Sequence, residues 1–148
     1  MNFKKNSNYF REIDHTADIG LEINGDTIPF LFANAAFGFY QLLFETNNIP
    51  VVHEKEIVLE DHSLNDLFVR WLSELNYLLT VEQFVMSEIQ TLSVKKTKNN
   101  FELYAKLNGN TDILYQTTAR FEIKAVTYHQ LKIVKKKSGF QTRIYFDI

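Results

Sequence analysis

Asp14, His15 and Asp18 fall within one short run, Asp14-His15-Thr16-Ala17-Asp18-Ile19-Gly20. Carboxylate oxygens gathered this way suit a hard cation such as Ca²⁺ or Mg²⁺, but one turn supplies too few ligands, so a distant partner is needed. The same residues also suit a plain turn in which Asp14 or Thr16 bonds its own backbone and the rest is solvated. Asp147 is the candidate partner, with the terminal oxygens of Ile148 beside it. If two strands bring these ends together, three carboxylates converge and repel one another unless a cation or protons neutralise them. A frayed, solvated end is the simpler alternative. His15 and His129 raise the question of a transition metal. No ligand-type His spacing is present and oxygen donors dominate, which disfavours zinc.

Lys124 is the second candidate, a single lysine inside the β-prone run Phe121-Glu122-Ile123-Lys124-Ala125-Val126-Thr127-Tyr128-His129. Strand alternation sets Phe121, Ile123, Ala125 and Thr127 toward a core and Lys124 opposite, beside Glu122, Val126 and Tyr128. There it either decorates a solvated sheet, paired with an acid, or offers a cation to a phosphate or to a partner's carboxylate. Lys135, Lys136 and Lys137 read as a solubilising hairpin tip, and His53 and His62 carry no motif. There is no Gly-rich phosphate loop, Gly-x-Ser-x-Gly elbow or Cys/His dyad. The phenylalanines follow core periodicity more than the pattern of an RNA-stacking surface.

Positioning these groups falls to short strands and two helices. Residues 9–13 and 19–24 read as strands around the acidic turn, with Ile19, Leu21 and Ile23 alternating against Gly20, Glu22 and Asn24. Asp18 then shares the outward face of Gly20 and Glu22. Thr27 or Asp26 caps a helix whose first turn tolerates Pro29. Its apolar positions, Leu31, Phe32, Ala35, Phe39, Leu42 and Leu43, recur at helical spacing. Residues 51–59 form a strand. Ser63 and Asp66 then open a second helix in capping-box fashion, with Trp71 as its core anchor. Strands are expected at 84–94 and 101–107, an irregular polar stretch at 108–119, and a closing hairpin of 121–134 with 140–148. In the last strand Phe140, Thr142, Ile144, Phe146 and Ile148 share one face, leaving Arg143, Tyr145 and Asp147 on the other. The expected class is α+β, two helices packed on a largely antiparallel multi-stranded sheet. A flexible tail of residues 1–8 precedes a single domain over 9–148.

Composition narrows the functions. With 148 residues, 45% of them hydrophobic, 13 Phe and 7 Tyr, the chain can build one aromatic-rich core. Its 16 Lys and Arg against 18 Asp and Glu leave a charge of −2, which argues against a free-standing nucleic-acid binder. The absence of cysteine removes disulfides, thiolate nucleophiles, zinc-finger sets and iron–sulfur clusters. No apolar run reaches membrane-spanning length and residues 1–8 lack a signal-peptide core, so a cytoplasmic protein without a membrane segment is expected.

Taken with the Phe-rich first helix after Gly25-Asp26-Thr27, the helix block Leu67-Phe68-Val69-Arg70-Trp71-Leu72-Ser73-Glu74-Leu75-Asn76-Tyr77-Leu78 and the terminal Asp147-Ile148, the two polar segments make the chain resemble the archease family from Tyr9 to Ile148. That resemblance implies a small α+β protein that binds a divalent metal, calcium, and activates the RtcB-type RNA ligase. The ligase joins RNA ends in tRNA splicing or RNA repair through a guanylylated histidine. The activator promotes guanylylation and multiple turnover without being the ligase, and meets RNA only indirectly. Asp18, Asp147 and Ile148 match the family's metal ligands, Ile148 through a main-chain or terminal oxygen, and Lys124 matches a lysine tied to activation. Asp14 and His15 are supporting candidates. Where the family has a His-Pro-x-Gly-Thr type stretch before the lysine, this chain has Tyr115-Gln116-Thr117-Thr118-Ala119-Arg120-Phe121. Two other functions use the same features: a metal-dependent phosphoester hydrolase with His15 as base, and a general chaperone indifferent to Asp18.

Overall fold

The computed structural model describes residues 3–14, 18–45, 48–115, 117–129 and 131–148. Its strands are β1 (Phe10–Asp14), β2 (Asp18–Gly25), β3 (His53–Asp61), β4 (Val85–Lys96), β5 (Phe101–Asn110), β6 (Ala125–Val126), β7 (Val134–Lys136) and β8 (Gly139–Asp147). The helices are α1 (Ile28–Leu43) and α2 (Leu64–Glu82), with 3-10 turns at Ser7–Tyr9 and Ile113–Tyr115. The class is α+β. The strands form two sheets: one ordered β1-β2-β8-β6, with β7 also on β8, and one ordered β3-β5-β4. Every pairing is antiparallel.

α1 explains why the sheet splits. It is apolar around nearly its whole circumference, with Leu31 through Tyr40 all buried, and such a helix must be covered on every side. It packs on β1 and β2 of one sheet, on β4 of the other, and on α2. Thr27 caps it, its hydroxyl accepting from the Phe30 amide at 3.3 Å. Trp71 anchors α2 as expected: fully buried, its indole N–H donates to the Phe32 carbonyl of α1 at 2.9 Å. The rings of Phe32 and Phe68 meet edge to face, 5.1 Å between centroids. Burial of each such side chain stabilises the fold by about 1.5–3 kcal/mol.

Within the expected 1–8 tail, Phe3 is buried, bridges to Ile89 of β4 and packs near Phe30, while residues 4–8 are exposed. One expectation needs correction. The continuous strand expected over 121–134 is not formed: among the described residues of that run, only those in β6 and β7 pair with β8, on the side away from β2. Between them the backbone finds other partners, among them the Thr142 hydroxyl, which donates to the Lys132 carbonyl at 3.0 Å. The β7–β8 turn closes on Gly139, at φ +140, where a Cβ would stand 2.4 Å from the Gly25 carbonyl oxygen. Only glycine takes that conformation freely. Among the described residues no helix is long and apolar enough to cross a membrane.

Candidate metal and partner-contact site

β2 and β8 are registered so that Asp18 lies directly opposite Asp147. Directly opposed residues share a sheet face, their Cβ atoms about 4.5–5.5 Å apart. Asp18 is half-buried and Asp147 exposed. Two carboxylates this close destabilise each other unless something positive lies between them. Ile148 follows at once and is 41% exposed. An all-oxygen, anionic donor set of this kind fits a hard divalent cation.

Lys124 immediately precedes β6, the strand beside β8. Ala125 registers with Asp147 on the far side of β8, and the Lys124 amide donates to the Asp147 carbonyl at 2.7 Å. Lys124 is exposed. Local alternation differs from the sequence expectation: Ile123 is buried, but Ala125 is exposed and Val126 packs on the core. The inward pull of Ile123 is reinforced by Asn76 of α2, whose side-chain amide donates to the Ile123 carbonyl at 3.0 Å.

Asp14 is set apart from this pair. It registers opposite Ile19, a buried residue, and so belongs to the helix-facing side of the sheet while Asp18 belongs to the other. Its charge acts on Arg120 instead. His15, with Thr16 and Ala17, lies outside the described residues.

Along the outer face the pair is followed by Gly20 opposite Tyr145 and then Glu22 opposite Arg143. Tyr145 is almost fully buried although it faces outward, and His129 lies edge-on to it at 5.7 Å. Glu22 accepts from Arg11 Nε at 3.0 Å and from Arg143 Nε at 3.0 Å. Burial alone pushes the Glu22 carboxyl up, but the two guanidiniums overcome it and hold the group below its ordinary value.

A second polar cluster escaped the sequence reading. His62, read as carrying no motif, has Nδ1 2.9 Å from Asp61 Oδ1 and Nε2 2.9 Å from Asp66 Oδ2. The i, i+4 spacing of His62 and Asp66 at a capped helix start was the available signal. Tyr128 hydrogen-bonds Asp66; partial burial first, and then the Asp66 charge, push its hydroxyl up. Among the described residues, Asp61, His62 and Asp66 are a trio whose ligand atoms all lie within 4.8 Å. As a cation site it is handicapped twice. Its imidazole nitrogens are engaged by the two carboxylates, and it lies at the positive end of the α2 dipole.

Residues 10–148 match the model of the archease protein family (MTH1598/TM1083). The chain belongs to the archease family. The protein archease of Methanosarcina barkeri is 34% identical over 139 residues, 94% of this chain and 95% of that one. Its counterpart in Methanosarcina mazei is 31% identical over the same shares of the two chains. Among solved structures, protein 1598 of Methanobacterium thermoautotrophicum superposes with a TM-score of 0.81 at 23% identity, covering 95% of this chain and 99% of that chain. A Thermotoga maritima archease, described as a possible chaperone, gives 0.56 at 24% identity, covering 93% and 96%. The archease match runs from the first residue of β1 to Ile148, so Asp18, Lys124 and Asp147 all fall inside it.

Proposed function

We propose that this archease-family chain is a non-enzymatic, cytoplasmic activator of an RtcB-type RNA ligase. In this reading Asp18, Asp147 and a main-chain oxygen of Ile148 hold a divalent cation, calcium, and Lys124 makes the neighbouring contact with the ligase. The observation that supports it is the registration of Asp18 with Asp147, together with the 2.7 Å bond from the Lys124 amide to the Asp147 carbonyl. Residues far apart in sequence are thereby held at one end of one sheet.

Each group has a separable task. The carboxylates provide the hard oxygen donors, and a cation held between them would offset their mutual repulsion. A bound calcium ion would neutralise that repulsion and rigidify the strand ends. Lys124, held through its main chain, keeps its ammonium available for a phosphate or carboxylate on the ligase, where a compact point charge serves well. The histidine guanylylation and the joining of RNA ends belong to the ligase, and the near-neutral charge of this chain fits RNA being met only through that partner. The test is ligase guanylylation with Asp18→Ala and Lys124→Ala. Both are expected to lose stimulation while remaining folded; full stimulation by the folded variants overturns the assignment.

A general chaperone is the second reading, favoured by the description of the Thermotoga maritima protein as a possible chaperone. It predicts protection of unrelated aggregating proteins and no sensitivity to Asp18→Ala.

A further inference from the structure

Arg120 stands at the entrance to the segment that carries Lys124. It is tied down at four points. Its amide donates to the Leu43 carbonyl at 2.9 Å. Its Nη1 donates to Glu12 Oε1 at 2.8 Å and to the Leu42 carbonyl at 3.2 Å. Its guanidinium lies 5.1 Å from the centroid of the Phe121 ring. The two carbonyls are at the C-terminal end of α1, where unpaired acceptors and the negative end of the helix dipole favour a cation. Glu12 is on β1, one strand from the Asp18 strand. The Glu12 hydrogen bond, with the charges of Glu12, Glu45 and Asp14, holds the Arg120 proton more tightly than usual.

We infer that Arg120 is a positioning residue: it clasps the chain to the end of α1 and to β1, and so sets the Lys124 segment in register against the end of β8. The next fixed points fit this role. Ile123 is buried with its carbonyl bonded by Asn76, and the Lys124 amide meets the Asp147 carbonyl. A clasp at Arg120, anchors at Ile123 and Lys124, and the short β6 ladder leave the segment little freedom between them. The Arg120 and Glu12 side chains are 45% and 36% exposed, and ion pairs that open to solvent contribute little to global stability. The consequence of the clasp is therefore local. Lysine is a partial replacement: its ammonium can serve a carboxylate and a carbonyl, as Nη1 alone does here, but it lacks the planar group that lies over the Phe121 ring. The functional half of the inference rests on the ligase-activator reading above; the structural half does not.

The experiment measures amide exchange by NMR and ligase guanylylation on the full chain as wild type, Arg120→Ala, Arg120→Lys and Lys124→Ala. In Arg120→Ala the Lys124 amide is expected to exchange about tenfold faster or more while the β5 amides stay protected, because only a local opening is released. Stimulation of the ligase falls about tenfold, Arg120→Lys recovers part of it, and the calcium-induced rise in melting temperature is retained, since neither carboxylate has been touched. Unchanged exchange at Lys124 in folded Arg120→Ala overturns the inference. So does full stimulation by Arg120→Ala where Lys124→Ala has lost it. If Lys124→Ala itself stimulates like wild type, the ligase reading is what fails, and the exchange rate alone then decides the positioning role.

Discussion

The ring of Tyr145 occupies the space in which a side chain at residue 20 would have to stand. Gly20 and Tyr145 are registered across β2 and β8, and a Cβ on Gly20 would lie 2.7 Å from Tyr145 Cδ1 and 3.0 Å from Ile13 Cγ1. Glycine weakens a strand interior and is found where another group approaches closely. Here it admits a large ring that is only 4% exposed, the next pair on the same face after Asp18 and Asp147. Gly20→Ala must displace that ring or spread the strands. The expected loss is about 1–3 kcal/mol, as for other overpacked sites, seen as a lower urea midpoint with an unchanged slope. A midpoint equal to wild type would mean that the ring yields freely.

Ser63 serves α2 as a two-way cap. Its hydroxyl accepts from the Asp66 amide at 3.1 Å and donates to Asp66 Oδ2 at 2.8 Å, while Asp66 also holds His62. Ser63→Ala should cost about 1 kcal/mol and Ser63→Gly only a few tenths, since glycine leaves the helix end open to water. Thermal denaturation of the pair checks the order; equal losses would point away from the hydroxyl.

Glu22 supplies a pH-dependent contribution with a definite sign. Its folded-state value is depressed, so its stabilising effect is present above the ordinary glutamate value of about 4.3 and is lost as pH falls through the lower, folded one. Each of its arginine partners is more than half exposed, which limits each pair to about 0.2–1 kcal/mol. Glu22→Gln should therefore be less stable than wild type at pH 7 by about 1 kcal/mol, with the gap closing on acidification below about pH 4. A gap that widens toward low pH contradicts the sign.

Much of this architecture was legible because its signals are local. Thr27 and Ser63 as caps, the stripe around Trp71, and the alternation that puts Asp18 and Asp147 on outward faces all follow from spacing within a few residues. Partner choice between distant strands was not local. Alternation placed Asp147 on a face, but only the β2–β8 pairing opposes it to Asp18. The run after Phe121 misled because β-branched and aromatic residues promise a strand, while Asn76 and Thr142 offer its backbone side-chain partners instead. Asp14 looked like a companion of Asp18 from proximity in sequence, yet the register turns it to the opposite face. His62 is a different case: its two acids, Asp61 and Asp66, are one and four residues away. That signal is local, but a capped helix start accounts for Asp66 by itself.

The Asp18–Asp147 pair can be tested without any ligase. With chelator present, Asp18→Asn and Asp147→Asn each remove one of two opposed like charges, so both variants should equal wild type in stability or exceed it by up to about 1 kcal/mol. Adding calcium reverses the order. A site that binds only the folded chain stabilises it by about 2.7 kcal/mol at a hundred times the dissociation constant, and neither Asn variant should share that gain. Asp61→Asn supplies the contrast, because it disables the trio at the α2 start and leaves β2 and β8 intact. Melting curves with and without calcium for the three variants read both sites at once. A calcium shift that survives Asp18→Asn and disappears with Asp61→Asn moves the ion to the His62 cluster and separates Lys124 from it.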